Sequence, residues 1–317
     1  MKKILITGGT GFLGRHLAKR LKQSGYEVTI TGRNNKQNKL ASEISGCQVL
    51  AMDVSSIESV RDIVNQTHPD TIIHAAATKF VDISEKQPME TIDVNVLGSQ
   101  NIARVAIDKE INLVIGISTD KASPPVRNTY GMTKALMERM FCSLNGKTNT
   151  EFLCVRYGNV AWSTGSVLPI WKKMIEESGI IGTTGPDMYR FFFTVNEAID
   201  LVITALENHE IYKGKILSRH MKAAQIKDFL EVWAKMEGVR YEQIPGRPGE
   251  RDEEYLFGEI ELPFTQEIMI NETPHYLISI NTKVQNPVTS VLSSRNTTML
   301  TEEEIMNIIT NPPSEED

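Results

Sequence analysis

Cysteine is scarce in this chain: Cys47, Cys142 and Cys154 are the three present in 317 residues. Their spacings match no metal-ligand pattern and they are too few for a disulfide framework, so they read as buried or idle thiols of a reducing compartment and no metal site is expected. Long apolar runs are missing too; none approaches the ~20 residues needed to cross a bilayer. The chain opens directly on Lys2-Lys3-Ile4-Leu5-Ile6, with neither a signal-peptide core nor a cleavage site behind it, so the expectation is a cytoplasmic protein with no membrane partner. No basic run is longer than scattered pairs such as Lys19-Arg20 and Lys172-Lys173, against a net charge of −6, which disfavours nucleic acid as a partner. A local basic pocket for a phosphorylated small molecule remains compatible with that balance. Repeats and low-complexity segments are absent, and only the polar Pro312 to Asp317 reads as a frayed tail.

What is present is an ordinary globular composition, with 40% apolar and 23% charged residues. The length suits one large α/β unit with an appended lobe, or about two domains. Residues 3 to 14 read as a β-branched strand, a glycine turn and the opening of a helix. Gly8, Gly11 and Gly14 let the backbone turn, approach a pyrophosphate and pack helix on sheet, with the anion at the helix N-terminus. Because strand, turn and helix come in order, dinucleotide binding is expected, through Gly8, Thr10, Gly11, Phe12, Leu13 and Gly14.

The second strand, Tyr26 to Thr31, ends at Gly32-Arg33-Asn34, where NAD-selective folds place a carboxylate for the ribose. Arg33 would instead neutralise a 2′-phosphate, so NADP is expected over NAD, with Arg15 a second contact; otherwise Arg33 is a solvated loop charge. A third strand over Gln48 to Val54 brings Asp53 and Val54 to the adenine edge, and a fourth over Asp70 to Ala77 leaves Ala75, Ala76 and Ala77 as room for a cofactor ring. His74 reads as a packed residue, since nothing pairs it with a nucleophile. One helix from about Met89 to Lys109 carries Asn95. Strands alternating with helices at these lengths predict a Rossmann-type doubly wound parallel sheet.

Residues 118 to 134 are the centre of the chain. They follow the apolar run Leu113 to Ile117, so Ser118-Thr119-Asp120-Lys121 emerges where a buried strand ends. Tyr130 and Lys134 lie four apart at the start of a helix and share a face. A lysine beside a phenol favours the phenolate and draws its pKa down from ~10. Alone, that pair would read by default as solvated side chains; its neighbours decide the case.

With Thr-Gly-x-x-Gly-x-x-Gly at 7–14, His-Ala-Ala-Ala at 74–77, Ser-Thr-Asp-Lys at 118–121 and Tyr-Gly-x-Thr-Lys at 130–134, the chain resembles the extended short-chain dehydrogenase/reductases. Within them it is most similar to the C5-inverting UDP-N-acetylglucosamine 4,6-dehydratases of bacterial polysaccharide and pseudaminic-acid-type biosynthesis. Arg156 to Val160, Gly165 to Pro169, Arg190 to Thr194 and Arg247-Pro248-Gly249-Glu250 follow in that family's order. Lys121 is the discriminating residue, since the subgroup has Asp-Lys where retaining dehydratases have Asp-Glu. The chain departs from the pattern at three places: a longer Asp120–Tyr130 loop with Pro124-Pro125, Phe192-Phe193 for a Trp-Ile-like pair, and Arg251-Asp252-Glu253-Glu254 for Lys-x-His-Glu.

The resemblance implies a lyase that oxidises C4 of a nucleotide sugar, eliminates water across C5–C6 and returns the hydride to C6. Tyr130 would take the C4 hydroxyl proton, Thr119 would hold that hydroxyl, and Lys134 would sustain the phenolate. Lys121 would remove H5 and Asp120 would protonate the departing oxygen, which requires burial to outweigh their mutual stabilisation as ions. Lys79, Arg190 and Arg247 suit the diphosphate, with Asn159 and Glu250 at the sugar or its phosphate; each also has a purely structural reading. The expected organisation is an NADP-binding domain over 1–160 and a smaller substrate-binding lobe over 161–317, with about 195–218 returning to the first. A homo-oligomer, dimer or hexamer, is implied. A 4-epimerase or ketoreductase of the same superfamily is the alternative, and a cofactor-binding module without turnover a further one, which intact Thr119, Tyr130 and Lys134 oppose.

Overall fold

The computed structural model describes residues 2–313; from residue 314 on, the expected polar tail falls outside them. Six strands form in the order the hydrophobic runs dictate: β1 Lys3–Thr7, β2 Glu27–Gly32, β3 Gln48–Ala51, β4 Thr71–His74, β5 Leu113–Ile117 and β6 Glu151–Arg156. They align in parallel in the order β6-β5-β4-β1-β2-β3, so the strand order reverses between β1 and β4. At such a reversal, turns leave the carboxyl ends of adjacent strands in opposite directions and open a crevice for a ligand. All five β5 residues are buried, as a strand covered on both faces requires.

The turn after β1 and the turn after β4 touch. Gly8 has φ +65°, and a Cβ there would lie 2.6 Å from the Ala76 backbone. The helix that follows, Phe12–Gln23, packs down on the same turn: a Cβ on Gly14 would come within 2.5 Å of Gly9 Cα.

The single helix expected from Met89 to Lys109 is interrupted. Residues Pro88–Ile92 and Gly98–Asp108 are α-helical, and Asp93–Leu97 form a π turn between them. That extra residue carries Asn95 inward, where its amide accepts from Thr78 N at 2.8 Å and donates to Thr78 O and Thr133 Oγ1 at 3.0 Å each. Periodicity gave no hint of it, because one residue hardly changes a 3.6-residue pattern.

Later segments extend the same sheet. Strand Lys215–Arg219 pairs with β6 in parallel, and the hairpin Thr265–Ile270/Thr273–Ser279 adds antiparallel strands outside it. The hairpin turns on Asn271 and Glu272, both at positive φ. The sequence reading did not place these two strands in the main sheet. A second apolar core, including Leu168, Trp171, Phe192, Phe229 and Trp233, lies beside the first. The apolar wall of the cavity described next comes mainly from this second core.

Candidate active site

β5 ends at Ile117, and the chain beyond it stays stitched to the exit of β6: Ser118 N donates to Val155 O at 2.7 Å and Asp120 N to Tyr157 O at 2.9 Å. These bonds fix Thr119 in extended backbone, from which it caps the short turn Asp120–Ala122. Asn128 caps the next helix, Thr129–Leu144, by accepting from Gly131 N at 2.8 Å. Tyr130 and Lys134 therefore sit on its first turns, facing the β5 exit.

Thr119 Oγ1 donates to Asp120 Oδ1 at 3.0 Å, and its hydroxyl acts on the Tyr130 phenol to lower that group's pKa. Asp120 is wholly buried, and its Oδ2 has no hydrogen-bond partner. Lys121 Nζ is surrounded by three acceptors: Asp120 Oδ1 at 3.0 Å, Asn159 Oδ1 at 3.4 Å and Glu254 Oε1 at 3.5 Å. Thr119, Asp120, Lys121, Tyr130 and Asn159 thus converge in one cluster.

Charge in this cluster differs from the sequence expectation at two places. Burial pushes the Tyr130 phenol up to about 12, against the downward pull of Lys121 and the Thr119 hydrogen bond. Lys134 does not supply the opposing charge. Its own pKa is lowered to about 8 by burial, and its ammonium points to Met137 Sδ at 3.2 Å. Burial also works to lower Lys121, as expected, but the Asp120 and Glu254 carboxylates outweigh it and leave Lys121 raised, with Arg190 opposing them. Burial is the largest single influence on Lys121, but two carboxylates together outweigh it, and the second of them, Glu254, was not foreseen.

On the cofactor side, a Cβ built on Gly11 would meet only Gly8 O, at 3.2 Å, so the face of the turn is open. Gly11 also begins helix Phe12–Gln23 without a side-chain cap, leaving its first amides to an anion. This donor set fits a dinucleotide pyrophosphate. Thr10 is buried against Gly32, Phe12 packs edge-on to His16, and Leu13 is half-buried. Asp53 Oδ1 is engaged by Ser55 Oγ at 2.7 Å, and Val54 packs on Gly98. Ala75, Ala76 and Ala77 line the turn after β4, half-buried. Arg33 is exposed at the end of β2 and lies 3.9 Å from Glu90. His74 is buried between Thr7 Oγ1 at 2.7 Å and Ser99 Oγ at 3.1 Å, and burial lowers its pKa to about 3, so it is a neutral packing residue.

A cavity runs from Asn159 toward the second core, walled by Trp171, Phe192, Arg190, Arg247 and Glu250. Glu250 is also a turn-former: it accepts from Thr184 Oγ1 and Arg247 N, each at 2.9 Å. Arg190 donates to Tyr189 O at 2.8 Å, and Arg247 is exposed at the rim. Lys79 does not line this cavity; it is exposed, over the Phe80 ring at 5.6 Å. Phe80 in turn abuts Gly165.

A family model for polysaccharide biosynthesis proteins matches residues 4–271. The chain belongs to this family. A relative in it, a Methanocaldococcus jannaschii protein known as an uncharacterized membrane protein, is 36% identical over 285 residues, which is 84% of each chain. A UDP-glucose 4-epimerase of Rickettsia conorii is 32% identical over 274 residues, 82% of this chain and 79% of the relative. Among solved structures, Pen from Bacillus thuringiensis superposes with a TM-score of 0.89 at 28% identity, covering 98% of this chain and 97% of Pen. The fold of this family member is that of the extended short-chain dehydrogenase/reductases. No helix among the described residues is long and apolar enough to cross a membrane.

Sequence reasoning missed Glu254, Arg251 and a buried clamp in this family member. Arg156 donates to Glu138 Oε2 at 2.6 Å and to Glu261 Oε1 at 2.9 Å, joining β6 to the helix that bears Tyr130 and to the C-terminal segment. The departure at 251–254 lies at Arg251 and Glu253 and gave no signal for Glu254, which keeps the final Glu of that pattern; no local pattern announces a contact made across the whole fold.

Proposed function

We propose that the chain is a nucleotide-sugar 4,6-dehydratase acting on UDP-N-acetylglucosamine with NADP, and that it inverts C5. The observation that carries the reading is the contact of a buried acid and an amine, Asp120 and Lys121, beside Tyr130. An oxidation at one sugar carbon needs only the phenol and its helpers; an acid and a base beyond them suit an elimination.

The pyrophosphate would be held by Gly8, Thr10, Gly11, Phe12, Leu13 and Gly14, the adenine by Asp53 and Val54, and the nicotinamide half by Ala75, Ala76, Ala77, Tyr130 and Lys134. Arg33, exposed and without a carboxylate at the corresponding place on β2, favours the 2′-phosphate of NADP. Bound there, the nicotinamide supplies a reversible hydride acceptor. Tyr130 removes the C4 hydroxyl proton, with Thr119 holding the same oxygen. Lys121 removes H5, acidified by the C4 ketone, and Asp120 delivers a proton to the departing C6 oxygen. Arg190 and Arg247 bind the diphosphate at the cavity mouth, with Lys79 adding positive charge from outside that wall and Asn159 and Glu250 orienting the sugar. In this reading 1–160 form the cofactor domain and 161–317 mainly the substrate lobe, and the chain works as a homo-oligomer, a dimer or a hexamer.

A 4-epimerase is the competing reading, favoured by the Rickettsia relative of that name. Incubation with UDP-N-acetylglucosamine and trace NADP⁺ separates them by product mass: loss of one water supports the dehydratase, an unchanged mass with a new stereocentre the epimerase. Lys121→Ala is expected to slow water loss by roughly 10²–10⁴-fold while C4 oxidation persists. A Lys121→Ala enzyme that eliminates water at the normal rate would end this assignment.

A further inference from the structure

The amine assigned to H5 is held by a second carboxylate that the proposed mechanism does not use. Glu254 belongs to a segment fixed by backbone: its N–H donates to Ser294 Oγ at 3.0 Å and its carbonyl accepts from Ser294 N at 2.8 Å. The side chain is buried, with Oε1 3.5 Å from Lys121 Nζ. Oε2 makes no hydrogen bond and lies 3.7 Å from Arg251 Nη1. The charged groups that face it are Lys121, Asp120, Arg190 and Arg251. A buried carboxylate with an unbonded oxygen is costly as an ion, which suits a group that takes up a proton.

We propose that Glu254 is a positioning residue of the elimination: by carrying or releasing its own proton it decides whether Lys121 stays an ammonium locked between two carboxylates or becomes an amine able to take a proton from carbon. The proposal rests on the dehydratase reading and identifies what controls its base.

The proton count closes. With Glu254 ionised, Lys121 keeps its proton, because both neighbouring carboxylates favour the ammonium. With Glu254 neutral, one of those anions is gone, and the Lys121 proton can pass to Asp120 Oδ1, 3.0 Å away. This yields the amine and carboxylic acid that the chemistry needs. Lys121 then takes H5, the C5–H electron pair becomes the C5–C6 double bond, the C6–O bond breaks with its pair, and the Asp120 proton leaves with that oxygen as water. Lys121 ends as ammonium, Asp120 as carboxylate and Glu254 unchanged, which is the starting state. Burial raises the Glu254 pKa, with Lys121, Arg190 and Arg251 opposing and Asp120 reinforcing, so the neutral form persists to higher pH than for an ordinary glutamate.

The experiment compares wild-type protein with Glu254→Gln. Competitive acetylation of lysines, read by peptide mass spectrometry across pH, reports where Lys121 becomes a free amine. In Glu254→Gln, Lys121 is expected to react at a pH at least about one unit lower, a tenfold loss of proton affinity. The fall of kcat/KM with rising pH that accompanies Glu254 ionisation in the wild type should also vanish. Identical Lys121 titration in the two proteins would overturn the proposal, as would a Glu254→Gln enzyme with an unaltered pH profile. If Glu254→Gln fails to fold, Glu254→Leu removes the same charge at similar volume and must give the same displacement. A wild-type enzyme that releases no water, with the Lys121 displacement present, would overturn the dehydratase reading and with it the role in elimination. Water loss without the displacement would sink the role of Glu254 alone.

Discussion

Lys134 is a buried amine whose nearest partner is a methionine sulfur, and its pKa falls from 10.5 to about 8. Between those values the unfolded chain binds more protons than the folded one, so stability rises with pH through that window and is lost as pH falls toward about 8. The cost of holding the charge at pH 7 is about 3 kcal/mol. On the proposed function, that cost is borne for chemistry. Lys134→Met is therefore expected to raise the melting temperature by several degrees at pH 7, to lose that advantage toward pH 10, and to abolish sugar oxidation. Thermal unfolding at the two pH values checks this, and a variant with the same melting temperature as the wild type at pH 7 would refute it. Tyr130 and Lys134 were legible from their spacing. Their charge states were not, because burial depends on neighbours that spacing does not reveal.

The element that matters most is the helix Thr129–Leu144, pressed against the turn that carries Lys121. A Cβ on Gly131 would lie 2.1 Å from the Lys121 carbonyl oxygen, a backbone atom that cannot swing aside. In an open helix, Gly→Ala gains about 1 kcal/mol. Here the sign should reverse: Gly131→Ala is expected to lower stability by more than 1 kcal/mol and to cost elimination more than C4 oxidation, because the Lys121 turn is what must move. Denaturant titration and product analysis together test it, and a stabilised, fully active variant would count against the packing argument. The Arg156 clamp holds the same helix from behind, with its charge raised by Glu138 and Glu261 despite burial. The strands of the first 160 residues and the helix of Tyr130 were readable from hydrophobic runs and spacing. The π turn at Asn95 and the close approach at Gly131 were not, since both answer to a partner element.

For the whole molecule, the distribution of exposed apolar residues is uneven. Met89 and Ile92 on the helix Pro88–Ile92 and Leu97 in the π turn after it are exposed, and the helix of Tyr130, which packs against both elements, exposes Met132 (55%) and Leu136 (50%). Exposed apolar side chains gathered on adjoining elements are costly in water and support the proposed homo-oligomer, in which they would be covered by another copy. A Met132→Glu, Leu136→Glu double variant is expected to dissociate it, read by light scattering coupled to size-exclusion chromatography. An oligomer of unchanged mass would show that this face is not the interface. Because the patch borders the catalytic helix, dissociation should also reduce turnover.

The succession of strands along the chain, the glycine turn of the first crossover, and the emergence of Thr119, Asp120 and Lys121 at the end of one buried strand, with Tyr130 and Lys134 on the helix that follows, came from the chain alone. Each depends on interactions within about a dozen residues, where periodicity, caps and turn chemistry act. Only the tertiary structure decided that Glu254 meets Lys121, that Glu138 and Glu261 share Arg156, and that a hairpin near the C-terminus completes the main sheet. Those contacts join segments far apart in sequence, and no local pattern encodes which distant carboxylate will be brought against which buried cation.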